Sequence, residues 1–352
     1  MEVRKVRKVR KVKLCFLSLT LPPLPPLPPL PYFPYFPYFL MIELQRKLLG
    51  DKVRNEAFYR ALKQSVQSGK TTIVDVGSGT GFLSFLASRM GAKHCTLIDY
   101  GDISGVSRKL AMSNGIKNCT FINKHSMDVT KAGPADMMVA EILGNYALEE
   151  NIIEIIEDAK RFLKPGGIII PGRIEQFVAP VISDRLQKEI DVMADVGYDL
   201  DMKEAREIAL NNIYVKKIRP EEIISAKKWD EIDFKKKNSS VRKASVTWES
   251  DGRDAPAGRL YNVYGFALWW NAELVPGINL STGPHDPPTH WEQIYLPLLE
   301  PVPIKPGQKL RLKLVSDTRL KVKINLSWEV KLMENKKIVS SQKLDMKRGF
   351  LV

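Results

Sequence analysis

The segment Thr71–Gly81, TTIVDVGSGTG, limits the fold more than any other stretch of the chain. Thr71–Val76 is β-branched apart from Asp75, the composition of a buried strand. The run Gly77-Ser78-Gly79-Thr80-Gly81 follows at once, and then a helix-like spacing of Phe82, Leu83, Phe85, Leu86 and Met90. Strand, glycine turn and helix together bring a ligand against bare N–H groups at a helix N-terminus. Glycine removes the Cβ where the ligand must touch the main chain. Twenty-three positions after Val76, Asp99 closes the apolar run Cys95–Ile98. An acid at the tip of a second strand is placed to accept both hydroxyls of a ribose. The plain alternative is that many α/β chains carry glycines after a strand. The turn also lacks the wider glycine spacing of nicotinamide dinucleotide sites.

Bulk properties narrow the class. A chain of 352 residues holds two domains, and 44% hydrophobic with 27% charged residues is ordinary for a soluble protein. The net charge of +14 is uneven: residues 1–13 contribute +6 and residues 14–40 nothing, leaving +8 for 41–352. That excess suits an acidic partner, although a solvated surface explains it as well. Cys15, Cys95 and Cys119 are odd in number and lack metal spacing, so neither zinc nor a disulfide is expected and a reducing compartment fits best.

Residues 1–40 are low-complexity triplets: VRK three times, LPPLPPLPPL, then PYF three times. They are expected to be a disordered tail with a polyproline II block. The apolar run CFLSLTL is too short to span a bilayer, and no membrane partner is expected. From Ile42 to Gln67 helical spacing predicts one helix, with Leu44, Leu48, Leu49, Val53, Phe58, Leu62 and Val66 on its apolar face. Asp51 and Arg54 sit within it, and spacing alone makes them a solvated face. A helix over Ile103–Asn114 and a strand over Cys119–Asn123 follow, then a short loop in which Met127 and Asp128 stand beside the sheet.

The strand Asp136–Ala140 runs into Glu141, within AEILGNYALEEN. Open α/β sheets bind ligands at strand C-termini. Glu150 lies nine residues on, and two carboxylates at that mouth suit a cationic acceptor, above all the planar fork of a guanidinium. Alternatively Glu149, Glu150 and Glu154 open an exposed helix. Beyond Ile174 the alternation of helix and strand stops. Strands are predicted over 175–182, 241–248, 261–274, 292–300, 308–316 and 320–333, with a charged helical insertion at about 184–206.

VDVGSGTG, Asp99, AEILGNYALEEN and PPTHWEQ, in this order and separation, resemble the protein arginine methyltransferases from about Asp51 to Trp328. The resemblance implies a Rossmann-like S-adenosylmethionine-binding domain over 41–173 and a β-barrel substrate domain over 174–352. The insertion at about 184–206 would be a dimerisation arm, giving a homodimer. Asp75 and the turn Gly77, Gly79, Gly81 would surround the amino-acid part of S-adenosylmethionine, Arg54 its carboxylate and Asp99 its ribose, with Met127 and Asp128 completing the cofactor site. Glu141 and Glu150 would hold the acceptor arginine, His290 would pair with Asp51, and Trp291 would wall the channel. No metal is expected.

The implied partner is a protein carrying arginine, Arg/Gly-rich in one version, with no requirement for nucleic acid. The implied location is cytoplasmic, or nuclear in a eukaryote. In the family an aromatic Tyr-Phe-x-x-Tyr segment closes over the cofactor, and Tyr35-Phe36 stand at the matching distance before Arg54. Two positions that often hold methionine are Leu48 and Leu143 here, leaving the methylation product open. The rival readings are transfer to a small amine or RNA, and a catalytically silent dimeric scaffold.

Overall fold

The structure is a computed structural model that describes residues 36–250 and 260–349. Residues 1–35 of the tail expected over 1–40, with Tyr35 of the aromatic segment, lie outside the described residues. Helix α1 (Phe36–Gly50) begins inside the PYF triplets, ahead of the boundary expected at residue 40. Helix α2 (Lys52–Ser65) is separate from it, so the single helix expected over 42–67 is two. The break is chemical. Asp51 takes an extended ψ of 97°, and its carboxylate accepts the Arg54 N–H at 2.9 Å, as an N-cap does. Asp51 is buried, not part of a solvated face.

Strands β1 (Thr72–Val76), β2 (His94–Asp99), β3 (Cys119–Asn123), β4 (Ala135–Val139) and β5 (Leu163–Ile170) form a parallel sheet in the order 3-2-1-4-5. Helices α3 (Phe82–Arg89), α4 (Ile103–Ser113) and α5 (Ile152–Ala159) connect them. Strand order reverses between β1 and β4, and the crevice beyond their carboxyl ends is where such sheets take ligands. Met137, Met138 and Val139 of β4 and Ile73, Val74 and Val76 of β1 are all but fully buried, as central parallel strands require.

The antiparallel part begins at β6 (Arg173–Val181). It continues through β7 (Tyr214–Lys216), β8 (Lys227–Asp233), β9 (Val241–Glu249), β10 (Tyr261–Val275) and β11 (Ile278–Ser281). It ends with β12 (Gln293–Ile304), β13 (Lys309–Asp317), β14 (Asn325–Glu334) and β15 (Lys337–Asp345). One sheet runs β7-β12-β10-β6-β8 with β11 on β10, and the other β15-β14-β13-β9. β8 meets β9 at one seam and β12 meets β15 at the other, which closes the two sheets into a barrel-like body. Alternation fills its interior: Leu310, Leu312 and Leu314 point inward while Lys309, Arg311 and Lys313 are exposed. Between β6 and β7 lies the charged insertion, with α6 (Arg185–Ile190) and α7 (Lys203–Leu210) flanking a stretch where Val192, Tyr198 and Leu200 are exposed.

Candidate active site

A cleft of about 610 Å³ opens at the carboxyl ends of β1 and β4. Arg54, Asp75, Gly77, Gly79, Asp99, Glu141, Glu150, His290 and Trp291 all line it, as do Leu48 and Leu143. Asp51 stands behind His290, and Gly81 caps the start of α3 outside the lining.

The floor comes from β1 and the glycine turn. Gly77 has φ +71°, and a Cβ there would lie 2.5 Å from Ile142, so only glycine fits. Asp99 fixes the turn from β2: Gly79 N–H donates to its Oδ2 and Gly101 N–H to its Oδ1, each at 2.8 Å. A carboxylate oxygen has further lone pairs, so Asp99 keeps capacity for a hydroxyl. Asp75 is 2% exposed and receives one hydrogen bond, from Ser84 Oγ at 2.7 Å. Burial, together with the Asp99 and Glu141 charges and against the Ser84 bond, pushes its acid up to about 7. A buried carboxylate this poorly compensated is built to meet a cation.

Arg54, on α2, reaches across the cleft. Its guanidinium donates to Glu141 Oε2 from Nε, at 3.0 Å, and from Nη2, and to Asn55 Oδ1 from Nη1 at 2.9 Å. It also sits over the Phe58 ring. Glu141 Oε1 accepts no hydrogen bond from a described residue. Glu150 has neither a hydrogen-bond nor an ion-pair partner among the described residues. Solvent reaches its side chain, yet surrounding protein, with Glu141 and Glu149 nearby, pushes its acid up to about 7. Glu149 does not open a helix. It folds back to accept the N–H groups of Asn145 at 3.0 Å and Tyr146 at 3.4 Å, in space that exists because residue 144 is glycine. Helix α5 starts only after Asn151.

The loop that carries both glutamates is gripped by the barrel-like part. Trp291 Nε1 donates to Leu143 O at 2.9 Å and Trp270 Nε1 to Gly144 O at 3.0 Å. Glu292 N–H donates to Asn145 Oδ1 at 2.9 Å, and Tyr146 Oη to Ser316 Oγ at 2.8 Å. The two indoles pack edge to face at 5.1 Å, and the His290 ring lies tilted against Trp291 at 3.9 Å. Asp51 ties this wall to the helices. Its Oδ2 accepts the His290 N–H at 2.8 Å and lies 2.7 Å from Nδ1. Burial pushes the Asp51 acid up, but these bonds and the Arg54 N–H outweigh it and hold it below the usual carboxylate range.

Met127 and Asp128 stand in the turn that follows β3. They form a short turn, Ser126–Asp128, that does not itself line the cleft, although His125, which caps it, meets the ring of the lining residue Tyr100 at 5.6 Å. Arg161 braces that turn, donating to Ser126 O at 3.0 Å and Val129 O at 2.5 Å. Tyr100, Gln45 and Ser84 belong to the site and were not foreseen. Tyr100 directly follows Asp99, and that adjacency was the one available signal.

Residues 173–334 match the arginine methyltransferase oligomerization subdomain, and residues 58–194 the ribosomal protein L11 methyltransferase (PrmA) family. An arginine N(omega)-methyltransferase of Streptomyces achromogenes subsp. streptozoticus is 29% identical over 290 residues, 79% of this chain and 77% of its own. The Trypanosoma brucei PRMT1 enzyme–prozyme heterotetrameric complex with AdoHcy has a similar structure, with TM-score 0.75, 18% identity, 86% of this chain and 98% of the other covered. Arabidopsis thaliana protein arginine methyltransferase 10 gives 0.73, 21%, 89% and 100%. At these identities the structural likeness establishes the fold, a Rossmann-like sheet followed by a barrel-like domain.

Proposed function

Because the chain belongs to the protein arginine methyltransferase family, we propose that its cleft transfers a methyl group from S-adenosylmethionine to a guanidino nitrogen of a protein arginine. The single observation that carries this reading is the pair of acids at the end of β4. Glu141 already holds a guanidinium, that of Arg54, by one oxygen, while Glu141 Oε1 and the whole Glu150 carboxylate are left for another.

The site also fits the cofactor. The glycine turn leaves room where a Cβ would stand, Asp75 offers a buried anion to a cationic amino group, and Asp99 faces the same cleft. S-adenosylmethionine supplies an electrophilic methyl group on a sulfonium sulfur. The residues of the chain do the rest. Arg54 can turn donors not used on Glu141 and Asn55 toward a carboxylate. Glu141 and Glu150 hold the planar acceptor by its edges, draw its positive charge to the nitrogens they touch, and leave one nitrogen richer in electrons. Removing a proton before attack is implausible for a guanidinium, which stays protonated far above neutral pH. The proton therefore leaves late, with His290 and its Asp51 partner as the acceptor at hand. Trp291 excludes water from one side of the channel and holds the acids in register.

The acceptor is read as an Arg/Gly-rich segment and the active form as a homodimer. Val192, Tyr198 and Leu200 of the insertion support the latter, because an apolar row exposed on a charged arm needs a cover. The deciding experiment incubates the full chain with labelled cofactor and an arginine–glycine peptide, free arginine or RNA. Glu141→Gln should abolish transfer to the peptide while calorimetry shows cofactor binding retained; near-normal turnover in that variant would remove the central assignment.

A further inference from the structure

Outside the cleft, two cysteines stand together among the described residues. Cys95 on β2 and Cys119 on β3 are direct partners in the parallel register. Neighbouring strands lie about 4.8 Å apart, inside the roughly 4.4–6.8 Å that a disulfide spans between Cα atoms. Both thiols are free. They differ in access: Cys95 is fully buried under α3, with its Sγ 3.6 Å from Ser84 O, whereas Cys119 is half-buried on the edge strand of the sheet. Residues 24 apart in sequence meet here only through the sheet.

We propose that Cys95 and Cys119 form a peroxide-reactive dithiol, with Cys119 the sulfur that meets the oxidant and Cys95 the one that resolves it. The two sulfurs are prepared for unequal roles. The Cys95 S–H, held against Cys119, lowers the Cys119 thiol from its ordinary range, against burial and the Asp75 charge. The same contact, together with burial, pushes Cys95 up. The accessible sulfur is thus the one that ionises, beside a protonated neighbour, which is the arrangement of a redox-sensing cysteine.

The chemistry balances with a hydroperoxide as the only co-reactant. The Cys119 thiolate attacks one peroxide oxygen; the S–O bond forms, the O–O bond breaks, hydroxide or alkoxide leaves, and sulfur loses two electrons. The Cys95 sulfur then attacks the sulfenic sulfur; the S–S bond forms, the S–O bond breaks, and the hydroxyl leaves with the Cys95 proton as water. The bond closes a loop over residues 96–118, which contains Asp99 and helix α4, so oxidation would be written onto the strand that carries the acid of the cleft.

The test uses the unmodified full chain. It is exposed to a modest excess of hydrogen peroxide, blocked with an alkylating reagent, digested without reductant and analysed by mass spectrometry. The expected result is one cross-linked species joining the peptides of Cys95 and Cys119, lighter by two hydrogens and reversed by a small thiol. In Cys95→Ser, Cys119 should instead accumulate a sulfenic acid that a dione reagent traps. Recovery of both cysteines of the unmodified chain as alkylated thiols would overturn the proposal, and so would a disulfide that uses Cys15 in place of either. The wild-type measurement decides the question even if the variant fails to fold.

Discussion

Replacing Asp75 by asparagine should make the ligand-free chain more stable, and only above mildly acidic pH. Asp75 is nearly inaccessible, receives a single neutral hydrogen bond from Ser84, and shares the cleft with Asp99 and Glu141. Burial raises its acid from 3.8 to about 7, which corresponds to about 4 kcal/mol between the two protonation states. A carboxyl raised in the folded state binds its proton more tightly there than in the unfolded chain. Its stabilising contribution is therefore complete below about pH 3.8 and is lost progressively until about pH 7. Asparagine carries no charge and keeps an oxygen for the Ser84 hydroxyl. Asp75→Asn should match the parent near pH 4 and exceed it by up to about 4 kcal/mol above about pH 8. With an unfolding slope of about 3 kcal/mol/M in urea, the midpoint should rise by about 1 M at the higher pH. Urea titrations of both proteins across that range measure the difference directly. Midpoints that stay a constant distance apart at every pH would refute the argument, because the charge would then not be the source of the cost. The same substitution should weaken cofactor binding, since the anion that destabilises the empty cleft is the one offered to a cation.

Three further outcomes follow from the same geometry. Asp51→Ala removes an N-cap worth about 1 kcal/mol and two bonds to His290 of about 1 kcal/mol each; thermal unfolding should show a loss near 3 kcal/mol, and an unchanged midpoint would mean that Asp51 does not join the two parts. Trp291→Phe leaves Leu143 O without its donor at a cost of about 1–3 kcal/mol; turnover should fall more than cofactor affinity, and equal losses in both would argue against a positioning role. For Glu150, kcat/KM should rise through about pH 7 as it and Asp75 lose their protons, and a flat profile across neutrality would contradict paired carboxylates.

Much of the cleft was legible because its signals are local. A β-branched strand running into Gly77–Gly81, and an acid closing each of two later strands, report sheet topology directly. The strands over 241–249 and 309–317 were legible for the same reason, through alternation that runs from Ala244 to Trp248 in one and from Leu310 to Leu314 in the other. β7, with three residues, and β8, KKWDEID, were not, since charge on a strand that meets a seam hides its period. β15, KIVSSQKLD, is an edge strand with one buried residue, Leu344, and sequence offers little to find it by. The break at Asp51 was hidden because both helices keep apolar residues at similar spacing, and the Gly50-Asp51 junction, which marks a stop and a cap, was outweighed by that periodicity. The Arg54–Glu141 pair joins residues 87 apart in sequence, and the meeting of Cys95 with Cys119 needs the sheet register; no local pattern encodes either.

The two tryptophans take hold of carbonyl oxygens at positions 143 and 144, and every amino acid supplies that handle. A descendant of this chain can therefore exchange the side chain at 143, which borders the reaction space, without loosening the acids on either side of it. Precision is stored in one domain's indoles and variability is left to the other's loop, so selection can reshape the cleft beside the acids without first rebuilding the scaffold that positions them.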